Sequence, residues 1–332
     1  PTEIVKYMVD KTLSKVCEGK TPSEILNVSV ADIACGSGIF LEEAFAYLQD
    51  YCVQWYISNG QTDHLIETGI DLYKLPLQEK KDILCSCIYG IDIDIHAVEV
   101  AKFSLLIKLI EGETAPSVAE VVPILPDLGD NIQFGNSLVS QTELNGISGA
   151  NHQMMEIAPF DWNAINNGCG FDVIIGNPPY VNTEGMHTLL PSAEVEVYKK
   201  KYKTSHKQFD KYFIFIEQAI NKIKENGLVC YIVPNKFFKI GAGEKLRSLI
   251  AKERMLVSLD DFGDAQLFED KTIYSSIILL SKEKQTTFVY SSVDSANKLW
   301  AGEEVSSIEL SSSVLNKLPW RLTTDFEFLT ML

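Results

Sequence analysis

The chain has 332 residues, 46% of them hydrophobic, a formal net charge of −16 and seven cysteines. The length sets a prior of about two domains, the apolar share suffices for a full core, and no run approaches the roughly 18 apolar residues of a membrane span. Cys85 and Cys87 stand one residue apart, neither a redox pair nor half a zinc knuckle, so reduced thiols in a soluble, cytoplasmic protein without a metal site are expected.

In chain order, Val28 to Ile33 reads as a buried strand, followed by Ala34-Cys35-Gly36-Ser37-Gly38 and a periodic helix from Ile39 to about Leu48. Strand, glycine turn and helix open a nucleotide-binding α/β unit, in which Gly36 and Gly38 let backbone approach a ligand. Asp32 at the strand end suits a cationic ammonium or sulfonium group better than a pyrophosphate. Ile88 to Asp94 is the next strand. Asp92 at its end is the candidate for ribose hydroxyls, and Asp94 is placed to cap the helix that runs from His96 to Ile110. The wide gap between Gly38 and Asp92 requires an insertion over about residues 50–86, which reads as helical.

A short third strand, Asn131 to Phe134, precedes Gly135-Asn136-Ser137, where Asn136 is either a reader of an adenine edge or a plain turn asparagine. Leu144 to Gly170, rich in Gly, Asn and Ser, reads as a loop. Phe171 to Ile175 is short, apolar and β-branched, a strand buried on both faces. It runs into Asn177-Pro178-Pro179-Tyr180. Two prolines cannot continue a strand, so the chain leaves the sheet there and presents the Asn177 amide and the Pro178 carbonyl at its carboxyl edge, where open α/β sheets bind ligands. Two acceptors suit an exocyclic amino group, and Tyr180 offers a face for a planar base.

Lys199, Lys200, Lys201, Lys203, Lys207 and Lys211 follow, interleaved with Tyr198, Tyr202 and His206. The run is a solvated face or, beside a base-sized pocket, a local phosphate contact that softens the objection an acidic chain raises to nucleic-acid binding. A helix from Phe209 to Lys224, a strand from Gly227 to Val233, a helix from Ala242 to Lys252 and two strands, Met255 to Asp260 and Thr272 to Leu280, complete a βαβ pattern. It predicts a mainly parallel sheet between helices.

Taken in this order, Asp32 to Gly38, Tyr89 to Asp94, Gly135 to Ser137 and Asn177 to Tyr180 resemble the motifs of N6-adenine DNA methyltransferases, in particular the methylase parts of bacterial or archaeal restriction-modification and phage-exclusion enzymes. The resemblance implies a Rossmann-like α/β fold with a seven-stranded sheet, a terminal antiparallel hairpin and helices on both faces. It implies S-adenosyl-L-methionine as cofactor, held by Asp32, Ala34, Gly36, Gly38, Asp92, Ile93, Asn136 and Phe215. It also implies double-stranded DNA as partner, with Asn177 to Tyr180 catalytic and an extruded adenine stacked between Tyr180 and Phe268. Lys199, Lys200, Lys201, Lys203 and Lys207 would face the DNA backbone. Without the resemblance, Ile93, Phe215 and Phe268 read as core.

Three departures stand out. Ile33 replaces a common proline, Asn136 stands where an aspartate is frequent, and the first motif opens at Pro1 without its usual threonine. Residues 1–282 are expected to form the catalytic domain and 283–332 the truncated start of a recognition region, with a nuclease or specificity domain or subunit outside the chain. The alternatives are a protein glutamine N5-methyltransferase, which poses the same amide-nitrogen problem, and a non-catalytic specificity subunit.

Overall fold

Short runs of β-branched residues pair into one sheet that positions everything else. The computed structural model describes residues 2–114, 117–118, 121–263, 274–300, 303 and 305–324. Among these, the sheet strands are β1 (Val30–Asp32), β4 (Ile88–Asp92), β5 (Ile132–Phe134), β6 (Phe171–Gly176), β7 (Ile223–Pro234), β8 (Leu256–Asp261), β9 (Ser275–Ser281), β10 (Thr287–Ser292) and β11 (Ser306–Ser311). Their order is β11-β10-β8-β9-β7-β6-β1-β4-β5. β5, β4, β1, β6 and β7 run parallel, and β9 is inserted antiparallel between β7 and β8.

Alternating strand residues enter two separate cores, as a strand with helices on both faces requires. Ala31, Ile91 and Ile174 face Tyr198, Ile216 and Ile250 from the helices Ser192–Lys201, Lys211–Lys222 and Glu244–Glu253. Val30, Ile88, Val173 and Ile175 face Met8, Leu41, Leu84 and Leu105 from the helices Thr2–Cys17, Ile39–Ser58, Leu77–Cys87 and Ile95–Ile110. The expected mainly parallel α/β sheet with its closing antiparallel pair is present.

Four local expectations differ. The helix that begins at Ile39 continues past Leu48 to Ser58, because Leu41, Ala44, Phe45, Leu48 and Cys52 keep one face apolar for another two turns. The insertion is not helical throughout: β2 (Ile66–Gly69) and β3 (Leu72–Lys74) form a hairpin before the Leu77–Cys87 helix. Residues 144–170 contain the helix Ala150–Ile157, anchored by buried Ala150 and Ile157. Among the described residues the sheet has nine strands where seven were expected, because β10 pairs in parallel with β8 and carries β11 on its outer edge. Phe288 and Tyr290 bury the inner face of β10, so residues assigned to a separate C-terminal region extend the sheet instead.

A buried polar contact ties the first helix to the far end of this sheet. Lys11 Nζ lies 2.5 Å from Asp260 Oδ2 at the end of β8, and the Tyr7 hydroxyl donates to the same oxygen at 3.0 Å. Burial pushes the Tyr7 phenol up to about 12, with Asp260 adding to it. Removing one partner from a buried ion pair leaves an uncompensated charge, which costs about 3–5 kcal/mol. Lys11→Met is therefore expected to lower unfolding stability by about 3 kcal/mol, measured by urea denaturation, while Lys15→Met, on the same helix but exposed, changes it by well under 1 kcal/mol.

Candidate active site at the carboxyl edge of the sheet

β1, β4 and β6 end side by side, and each delivers an acid or an amide. Asp32 closes β1, is 2% exposed, and accepts the Ala34 N–H at 3.0 Å. Burial pushes its carboxyl up to about 7; the Ala34 bond works against that shift and neighbouring Asp92 adds to it. No cation lies within ion-pair distance of it among the described residues. Gly36 and Gly38 adopt φ of +53° and +89°, a left-handed backbone that L side chains resist. A Cβ at Gly36 would meet open space, whereas one at Gly38 would lie 3.0 Å from Ala101 Cβ. Gly38 thus serves close packing of the Ile39–Ser58 helix, and Gly36 leaves room beside the loop.

Asp92 shapes that loop from the next strand. Its Oδ2 accepts the Gly36 N–H at 2.8 Å and its Oδ1 the Asp94 N–H at 2.9 Å, leaving further lone pairs on both oxygens. Asp94 caps its helix as expected, accepting the His96 N–H at 2.9 Å.

On the other side of Asp32, β6 carries the Asn-Pro-Pro-Tyr turn. The strand is registered on β1 at its start, where the Ser29 N–H and hydroxyl both donate to Asp172, at 2.8 and 2.9 Å. At its end the fit is closer still: a Cβ on Gly176 would lie 2.6 Å from Asp32 Oδ1. Pro178 is buried, Asn177 and Pro179 are exposed, and Tyr180 is half-buried. The Tyr180 hydroxyl lies 2.5 Å from Asn177 Oδ1 and 2.9 Å from the Ile232 carbonyl, so it donates to either acceptor. Its ring meets Tyr212 edge-on at 5.9 Å. Burial, reinforced by the Asp210 carboxylate, holds this phenol well above its ordinary range. A cavity of about 820 Å³ opens beside the ring, lined among others by Asp210, Tyr212, Pro234, Lys236 and Tyr274. That volume falls in the range of roughly 300–1,000 Å³ usual for small-ligand sites.

The other candidates fall in different environments. Asn136 is 4% exposed; its amide donates to Glu194 Oε1 at 3.0 Å and its Oδ1 accepts the Leu138 N–H at 3.1 Å. Ser137 beside it donates to the Ile33 carbonyl at 2.7 Å, which ties this turn to the Asp32 loop. Ala34 packs on the core edge, Phe215 is buried within the core, and Ile93 is 45% exposed. Phe268 lies outside the described residues. The lysine run divides. Lys199, Lys200, Lys203 and Lys207 are exposed, with Lys200 paired to Glu196 and Lys207 to Glu244. Lys201 is turned inward, 2.9 Å from Glu143, and burial lowers its pKa. Lys211 is buried 3.7 Å from Glu194 Oε1.

Sequence reading passed over Glu194 and Asp210, and took Tyr198 only as part of the lysine segment. Glu194 and Tyr198 sit one helical turn apart among Ala193, Val195 and Val197, all buried. An acid inside an apolar helical face was the available signal, because a carboxylate is seldom fully buried without a partner. Asp210 starts the next helix and lines the cavity.

Comparison with known proteins identifies the family. The family described as Eco57I restriction-modification methylase matches residues 86–268. The Type II restriction enzyme and methyltransferase RM.Eco57I of Escherichia coli is 42% identical over 324 residues, covering 97% of this chain and 32% of that protein. The Type II methyltransferase M.BstVI of Geobacillus stearothermophilus is 25% identical over 257 residues, covering 76% of this chain and 37% of its own length. The chain thus spans about a third of the length of these curated relatives. Among solved structures, the Type IIL restriction-modification enzyme MmeI in complex with DNA superposes with a TM-score of 0.57 at 16% identity, over 92% of this chain and 37% of that one. A modification subunit of a putative type I restriction enzyme from Vibrio vulnificus gives 0.56 at 15% identity, over 99% and 60%. At such identities the structural likeness speaks for the fold, and the sequence match for the family: the chain belongs to the Eco57I restriction-modification methylases.

Proposed function

We propose that this chain transfers a methyl group from S-adenosyl-L-methionine to the N6 amino group of an adenine extruded from double-stranded DNA, within a restriction-modification or phage-defence system. The observation that carries the reading is the adjacency of two strand ends. Asp32 and the Asn177 turn meet across Gly176, so a cation-seeking carboxylate and a pair of amide-type acceptors face the same edge of the sheet.

The residues fit the cofactor by charge and by space. Asp32 is a buried acid without a cationic partner among the described residues, Gly36 leaves its side open, and Asp92 retains lone pairs for hydroxyl donors. S-Adenosylmethionine, when bound, supplies an electrophilic methyl group. Asp32 would favour its positive end, Asp92 its ribose, and Asn136, Ile93 and Phe215 its adenine.

The remaining work falls to the turn. The two N6 hydrogens donate to Asn177 Oδ1 and the Pro178 carbonyl, which turns the nitrogen lone pair out of conjugation with the ring. These bonds strengthen as the nitrogen acquires positive charge, so they act on the transition state more than on the ground state. Tyr180 supports one face of the base. The nitrogen becomes cationic on attack and afterwards loses its proton to water, so no side chain has to deprotonate it first. The exposed Lys199, Lys200, Lys203 and Lys207 supply a basic surface near this site for phosphates. Lys201 is spent on Glu143 and stands apart from that role.

Asn177→Ala is expected to bind cofactor with unchanged affinity and to lose on the order of 10²–10³ in single-turnover methyl transfer. The check is labelled S-adenosylmethionine and adenine-containing duplex, followed by digestion and identification of the methylated nucleoside. Unchanged turnover, or label on another base, would overturn the assignment.

A second expectation follows from Asp32. Its folded pKa is raised from 3.8 to about 7, so the native protein without cofactor holds that proton more tightly than the unfolded chain. The associated stability is complete below about pH 4 and is lost as pH rises through about 7. A cationic ligand favours the ionised form, so its affinity moves the opposite way and rises from about pH 6 to about pH 8. Melting temperature and calorimetric affinity against pH measure the two trends, and Asp32→Asn is expected to flatten both.

A further inference from the structure

Asn136 is one of the places where this chain departs from the pattern that it resembles, and the structure supplies a reason. The side chain is enclosed, and its amide group faces a carboxylate, Glu194, that is itself 1% exposed. An ionised carboxylate only accepts hydrogen bonds. Glu194 Oε1 accepts from Asn136 Nδ2 at 3.0 Å, accepts the Tyr198 hydroxyl, and has Lys211 Nζ 3.7 Å away. On its other side, Asn136 Oδ1 accepts the Leu138 N–H at 3.1 Å. Both partners therefore dictate the same orientation of the amide. Inverting it would set oxygen against the Glu194 carboxylate and an NH₂ group against the Leu138 N–H, two repulsive contacts in a buried site. An aspartate at 136 would be worse placed, since two carboxylates about 3 Å apart cannot both stay ionised.

We propose that Glu194 is the positioning residue that fixes Asn136 with its oxygen as the acceptor for the cofactor's exocyclic amine, and that the negative charge expected at 136 has moved to 194. The inference rests on the reading of Asn136 as the residue facing that adenine. Asn136 Oδ1 keeps a second lone pair after Leu138, which matches an amino donor and rejects a purine bearing a carbonyl at the same position. Glu194 accordingly sets cofactor specificity from behind the contacting residue. The pair should also be exchangeable. With aspartate at 136 and glutamine at 194, the acceptor toward the purine survives, the bond between the two side chains reverses direction, and Lys211 keeps one carboxylate near it.

The test is calorimetric binding of S-adenosylhomocysteine and of S-inosylhomocysteine, in which a carbonyl replaces the amine. The unaltered protein is expected to prefer the adenosyl compound by about tenfold or more, the equivalent of a hydrogen bond made against one refused. Asn136→Asp should lose about tenfold in affinity for it, and Asn136→Asp with Glu194→Gln should recover to within about threefold. Glu194→Gln alone keeps the volume and leaves only the Leu138 N–H to oppose inversion of the Asn136 amide, so it should narrow the adenosyl preference in a protein that still unfolds cooperatively, at a cost in melting temperature because Lys211 loses its carboxylate. That variant carries the test even if Asn136→Asp fails to fold. Equal binding of the two compounds by the unaltered protein would remove the reading of Asn136 and the proposal with it. A preference in the unaltered protein that Glu194→Gln leaves intact, or a folded double variant that binds no better than the single one, would overturn the role of Glu194 alone.

Discussion

The close approach of Asp32 to Gly176 is the constraint on which the candidate site depends. It exists because β1 and β6 are parallel neighbours that end at the same level, and because the residue beneath the carboxylate has no side chain. Parallel strands direct every turn at their carboxyl ends to one edge. The Ser29 to Asp172 hydrogen bonds at the opposite end set the register that makes the two ends coincide. A slip by one residue would move Asn177 away from the glycine loop and point alternate residues of β6 into the wrong core. Geometry at that edge is thus fixed about five residues away, at the partly exposed start of the strands.

The same register explains what was legible beforehand. Each motif that carries chemistry is local: a strand end, a glycine turn, an acid, two prolines. Such features announce themselves in a few consecutive residues, and Asp32, Gly36, Gly38, Asp92, Asn177 and Tyr180 lie where those signals place them, at the ends of β1, β4 and β6. Interactions between residues far apart in sequence left no comparable trace. The Glu194 cluster joins residues from three segments, and the Lys11 to Asp260 contact spans 249 positions. The β2–β3 hairpin and the strands beyond residue 286 were misjudged for a related reason. Short elements with mixed exposure carry weak periodicity, and their pairing is decided by the sheet edge they meet.

Charge shows the difference between composition and placement. A net charge of −16 describes the chain as a whole, while the lysine-rich segment after the turn sorts its members by depth. Lys201 and Lys211 face inward to Glu143 and Glu194 and brace the helices behind the site. Their exposed neighbours remain on the surface. A run that looks uniform in sequence therefore contains both scaffold and surface, separated by the helical turn on which each residue falls.

The hydrogen bond between the Tyr180 hydroxyl and Asn177 has a consequence for turnover. The amide oxygen accepts from Tyr180 through one lone pair and keeps a second for the amine under the proposed mechanism, while Tyr180 has the Ile232 carbonyl as its alternative acceptor. A methylated amino group has one N–H fewer to offer, which leaves Asn177 or Pro178 short of a donor. The tyrosine hydroxyl stands ready to replace the missing bond at Asn177. The tyrosine contact would keep Asn177 satisfied whether or not the amine still carries its second hydrogen, and so would ease departure of the product.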